Sequence, residues 1–190
     1  MTSKFIRCIA LAPLAFCGIA SAHPGHDGGA LAGLVHPFLG ADHLLAMIGV
    51  GLWAAQLGGR ARWLLPLSFV ALLALSGSLA MAGAALPMAE AGAATSVMLL
   101  GLLIAFAVKL PPAPGVAMVG LFAIFHGYVH GAEMPAAVSA WQYGFGFVVS
   151  SAALHGLGLY AGLRSRWPGS WVRATGALIA LGGAWFGMAA

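Results

Sequence analysis

Six apolar runs set the limits on how this chain folds: Pro37 to Leu57, Trp63 to Ala84, Ala89 to Val108, Ala113 to Gly131, Ala140 to Leu163 and Trp171 to Ala189. Each is about 19 to 24 residues, close to the ~20 that an α-helix needs to cross a bilayer core. Short polar or Pro/Gly-marked breaks separate them. With 62% hydrophobic residues, 6% charged residues and a mean hydropathy of +0.98, the composition excludes an ordinary soluble domain. The expected fold is an all-α membrane protein, a six-transmembrane-helix bundle.

The first 22 residues, MTSKFIRCIALAPLAFCGIASA, place Lys4 and Arg7 before an apolar stretch and end on the small residues Ala20-Ser21-Ala22. This is the pattern of a signal peptide cut before His23. The organisation expected is therefore a signal peptide over 1–22 and one six-helix domain over 23–190. Cys8 and Cys17 both fall inside the signal. A mature chain without cysteine has neither disulfides nor thiolate metal sites, so metal chemistry must use His, Asp, Glu, Met or backbone oxygens.

The basic residues report topology rather than nucleic-acid binding, since no basic run is interleaved with aromatics. Arg60 and Arg62 lie between the first and second spans, Lys109 between the third and fourth, and Arg164, Arg166 and Arg173 between the fifth and sixth. The other connections carry only Glu90 and Glu133. The positive-inside rule puts the basic loops in the cytoplasm and both mature termini outside, in the bacterial inner membrane. Glycines at small-xxx-small spacing, Gly127 with Gly131 and Gly158 with Gly162, predict closely packed helices.

Ionisable residues inside a membrane span cost ~2.5 to 3.5 kcal/mol at its centre and are usually paired or functional. Here they cluster in two motifs. In HPFLGADH, His36 and His43 are seven positions apart and share a face of a continuous helix, with His36 at the mouth and Asp42 and His43 roughly 8 to 9 Å below it. In FHGYVHGAE, His126, His130 and Glu133 fall at i, i+4 and i+7 on one face of the fourth span. If the first and fourth spans are neighbours, these groups converge in the outer half of the membrane. His155 on the fifth span sits deeper, one turn from Ser151, and is a candidate metal-handling residue on the way inward. Neutral imidazole with carboxylate suits Ni, Co, Zn, Cu or Fe rather than Mg or Ca. The exported N-terminus, HPGHD, adds His23 and His26 as candidate collectors of the same ion.

The segment HPFLGADHLLAMIGVGLWA resembles the signature of the HupE/UreJ family of small bacterial nickel permeases, some of which carry cobalt. The signal peptide and FHGYVHGAE are similar to the family pattern too, so the resemblance covers essentially the whole chain. It implies secondary transport of Ni²⁺, or of Co²⁺, into the cytoplasm for hydrogenase or urease assembly; handover of the ion to cytoplasmic metallochaperones is a further expectation. It marks His36, Asp42, His43, His126, His130 and Glu133 as the metal-handling residues. The wider nickel/cobalt transporter family has four residues between the histidine and the Asp-His pair; here there are five, PFLGA, which on a continuous helix turns His36 by ~100°.

The expected function is thus a permease, not an enzyme, with a divalent metal ion as cargo, no tightly bound cofactor, the lipid bilayer as its surroundings and no nucleic-acid partner. No GxxxxGK[ST] motif for ATP occurs. The competing reading is an intramembrane zinc-dependent hydrolase, with three histidines on zinc and Asp42 or Glu133 activating water. A haem-binding electron carrier with paired histidines is a lesser alternative.

Overall fold

The computed structural model describes residues 28–164 and 169–189, and every regular element among them is helical. In chain order these are α1 (Gly28–Val35), a 3-10 turn over His36–Phe38, α2 (Ala41–Leu57), α3 (Ala61–Met81), α4 (Ala89–Ala105), α5 (Pro112–Ala132), α6 (Ala140–Arg164) and α7 (Gly169–Ala189). The expected signal peptide, with His23, His26 and Arg166, lies outside the described residues. Helices α3, α5, α6 and α7 are long and apolar enough to cross a membrane; the bent pair of α1 and α2 passes the same test as a unit, and α4 is apolar at 17 residues. The chain is an all-α membrane protein.

The expected single helix from Pro37 to Leu57 is corrected. The chain before and after Leu39–Gly40 is bent by 77°. Pro37 opens a 3-10 turn instead of an α-helix, and Gly40 is extended at φ −97°, ψ 117°, so the helix restarts at Ala41. The segment ahead of Pro37, which lies outside the six apolar runs, forms α1 from Gly28 onwards. It is docked on α6, where a Cβ on Gly33 would collide with the Tyr143 carbonyl oxygen. At the other end of α2, Gly58 at φ +75° and Gly59 at φ +50° provide the left-handed turn into α3 that other residues rarely adopt.

Helix α2 is central. It packs on α6, α4, α3 and α7, and Met47, Val50, Trp53 and Ala54 are fully buried. A helix that is apolar all round belongs inside a bundle, so the run after HPFLGADH faces protein rather than lipid. Around it, α3 pairs with α5 and α4 with α7. The small-xxx-small spacings sit at such contacts: Gly127 lies against the Leu73 carbonyl of α3, and Gly158 against the Ile48 carbonyl of α2.

The basic end is tied together by polar contacts. Trp53 Nε1 donates to Val108 O (3.2 Å), Gln56 Nε2 to Ile104 O (3.2 Å), Arg173 Nε to Ala105 O (2.8 Å), and Lys109 Nζ to Gln56 O. Exposed tryptophans mark both ends, Trp63 and Trp171 at the basic end and Trp141 and Trp185 at the opposite one, the placement of an interfacial aromatic belt.

Candidate metal site

The site lies at the end opposite the arginines. The break at Gly40 frees His36 from the phase of α2, so the expected stacking of His36 above His43 on one helix does not occur. Instead the two imidazoles flank His130 of α5, with ring centroids 4.9 Å (His36) and 3.6 Å (His43) from it. Helices α2 and α5 meet through these rings, while the backbone of α5 packs chiefly on α3. On α5, which is unbroken, the i, i+4, i+7 relation holds: His126 and His130 are buried and Glu133 caps the helix, half exposed.

Two groups of donor atoms result. In the outer one, His36 Nε2 is 3.2 Å and His130 Nδ1 3.8 Å from Glu133 Oε2, and a ligand atom from each of the three residues lies within 4.8 Å of the others. In the inner one, His43 Nδ1 is 3.3 Å from Asp42 Oδ2 and 3.3 Å from His126 Nδ1. Both nitrogens of His130 are buried without a hydrogen-bond partner among the described residues. A buried polar side chain normally finds a partner, so His130 is left ready for a ligand.

Serine 96 of α4 orients His126. Its hydroxyl proton goes to Ala93 O at 2.6 Å, so its oxygen accepts from His126 Nε2 at 2.8 Å. That assigns the proton of neutral His126 to Nε2 and leaves the Nδ1 lone pair facing His43. Holding the far nitrogen of an imidazole in this way is how metal-ligating histidines are oriented.

A cavity of about 570 Å³ opens onto the cluster, with His36, Asp42, His43, Glu90 and Glu133 in its wall. Asp42, Glu90 and Glu133 are all the acidic residues among the described ones, so the entire described negative charge is gathered around one opening. His155 is not part of this cluster. It is buried on α6, further from the opening, with its ring 5.0 Å from that of Phe69.

A profile described as HupE / UreJ protein matches residues 10–186. The chain belongs to this family. It is also 49% identical over 177 residues to the protein HupE of Rhizobium leguminosarum bv. viciae, a match that covers 92% of this chain and 93% of that relative. No solved structure matches it. As a HupE/UreJ protein it carries both histidine motifs at one end of the bundle, and the structure adds two residues that the sequence reading did not mark. Glu90 was legible as one of four acids in the chain; Ser96, a hydroxyl in an apolar run, gave a weaker signal.

Proposed function

We propose that this HupE/UreJ protein is a permease for a divalent transition metal, Ni²⁺ foremost and Co²⁺ second, carrying it inward across the bacterial cytoplasmic membrane. The observation that carries this reading is the pairing of charge with ligands: Asp42, Glu90 and Glu133 all line a cavity that ends on His36 and His43, with His126 and His130 directly behind. An acidic mouth concentrates cations, and imidazoles with one or two carboxylates select transition metals over Mg²⁺ and Ca²⁺. Water lost by the ion must be replaced by ligands that still let it leave, which favours a few imidazoles and carboxylates over a closed thiolate cage.

In this reading the signal peptide is removed, the six long helices α2 to α7 cross the membrane, α1 rests at the periplasmic mouth, and the arginine-rich end faces the cytoplasm. His23 and His26 would sit outside as first collectors, and the ion would pass to cytoplasmic metallochaperones. The driving force would be the ion gradient, the membrane potential or metal trapping inside. The zinc-hydrolase alternative called for three histidines on zinc with Asp42 or Glu133 free to activate water, whereas the donor group whose atoms come within 4.8 Å of one another uses Glu133 itself with His36 and His130, and the family match does not favour it.

The test is uptake of ⁶³Ni²⁺ and ⁵⁷Co²⁺ by cells carrying the protein, each competed by the other metal and by Zn²⁺. Saturable Ni²⁺ uptake above that of cells lacking the protein is the expected outcome. Uptake indistinguishable from those cells for both metals would remove the assignment.

A further inference from the structure

Beyond the outer cluster, α6 carries two polar side chains that face the protein interior. His155 and Ser151, one turn apart on the same helix face, are 1% and 0% exposed. The Nδ1 proton of His155 goes to the Met47 carbonyl oxygen at 2.7 Å, which leaves Nε2 of the neutral ring as a bare acceptor. Neither that Nε2 nor Ser151 Oγ has a hydrogen-bond partner among the described residues. The other buried serines do have one: Ser76 donates to Ile124 O at 2.6 Å, Ser96 to Ala93 O at 2.6 Å, and Ser150 to Phe147 O at 3.1 Å. Two orphaned polar atoms a turn apart in so apolar a bundle are open to a ligand.

The neighbours suggest what that ligand is. Met47, whose carbonyl holds His155, is one turn beyond His43 on α2. The fully buried ring of Phe69 on α3 lies 6.0 Å from the His126 ring and 5.0 Å from the His155 ring, edge-on at 84° to the latter. Phe69 is therefore a common neighbour of His126, in the outer cluster, and of His155.

We propose that His155 Nε2, with Ser151 Oγ one turn away, is a second, inner binding position for the transported divalent ion, with the Phe69 ring packed near both it and His126 of the outer cluster. The inference rests on the permease reading of the outer cluster. A backbone carbonyl holding one imidazole nitrogen while the other is bare is the arrangement of a metal-ligating histidine. No described carboxylate is available here, since Asp42, Glu90 and Glu133 all line the outer cavity. Neutral donors alone hold a divalent ion loosely, which fits a position the ion occupies in passing.

The test compares the full chain with His155→Asn, whose side-chain amide can still donate to Met47 O but has no ring nitrogen in place of Nε2. Equilibrium ⁶³Ni²⁺ binding is measured on the purified protein and ⁶³Ni²⁺ uptake in proteoliposomes. His155→Asn is expected to keep the tighter binding of the outer cluster, which also shows that it is folded, and to lose only the weak inner component. Its uptake should fall at least by the roughly tenfold that even an outer-shell loss costs a metal site. Uptake at the parental rate would overturn the inner position, and so would binding lost together with uptake. A parent that binds neither Ni²⁺ nor Co²⁺ would overturn the outer-cluster reading as well, a result distinct from either.

Discussion

His43 Nδ1 of α2 and His126 Nδ1 of α5 face each other at 3.3 Å. Two nitrogens on one metal, each bonded at ~2.0 to 2.1 Å, are separated by about 2.9 to 3.4 Å across the angles of octahedral or tetrahedral coordination. The pair is therefore spaced for a shared ion without repacking of either helix. Because Ser96 sets the tautomer that aims His126 at His43, Ser96→Ala should weaken Ni²⁺ affinity roughly 10- to 100-fold while the protein stays folded. Titration calorimetry on the purified protein reads this directly, and parental affinity would show that the serine has no orienting role.

Asp42 carries the charge nearest that pair, with Oδ2 at 3.3 Å from His43 Nδ1. Asn is isosteric but neutral, so Asp42→Asn keeps the shape of the site and removes the anion that offsets the ion's charge. Uptake of ⁶³Ni²⁺ should be abolished while the amount of protein in the membrane fraction, followed by immunoblot, is unchanged. Full accumulation by this variant would count against the inner donor group.

Glu90 lines the cavity at the opening and is exposed. There it attracts cations over a distance instead of binding them, an effect that salt screens. Glu90→Gln should raise the KM for Ni²⁺ and leave the maximal rate near the parental value. Because the screening removes the same advantage from the parent, the difference should shrink as ionic strength rises. A fall in maximal rate with KM constant would instead make Glu90 a ligand.

How far the sequence carried this reading depends on which elements are continuous. On α5, an unbroken helix, the spacing of His126, His130 and Glu133 translated directly into a shared face. On the first motif the same arithmetic failed, because Pro37 and Gly40 break the helix between His36 and His43, and a phase angle has no meaning across a 77° bend. Helix α1 was missed for a related reason. Its eight residues, GGALAGLV, have too little length and too much glycine to predict a helix alone, and contacts with α6 at Gly33 and Gly146 hold it. The roles of Ser96 and Glu90 depend on how α4 is rotated against α5, a tertiary relation that spacing along one chain segment does not encode.

The orientation can be read by labelling. With Cys8 and Cys17 replaced by Ser, a single cysteine at Ala84, exposed between α3 and α4, should react from the periplasmic side with a membrane-impermeant maleimide. One at Ala113, exposed at the start of α5 on the arginine-rich end, should react only after the cells are opened. The reverse pattern would invert the direction of transport.

The helix contacts make a prediction that is independent of metal. A methyl group on Gly127 would run into the backbone of Leu73, so Gly127→Ala must push α5 away from α3, its main packing partner. Overpacking of this kind costs about 1 to 3 kcal/mol. Gly156 on α6 is the matched control, because a Cβ there would meet nothing within 4 Å. Gly156→Ala should be neutral or slightly stabilising, since alanine is favoured over glycine by up to ~1 kcal/mol within a helix. Thermal unfolding of the two variants in detergent should therefore shift in opposite directions or only for Gly127→Ala. Since His126 and His130 flank Gly127 on α5, the destabilised variant should also bind Ni²⁺ less tightly, and parental stability for Gly127→Ala would mean that α3 and α5 are not in close contact.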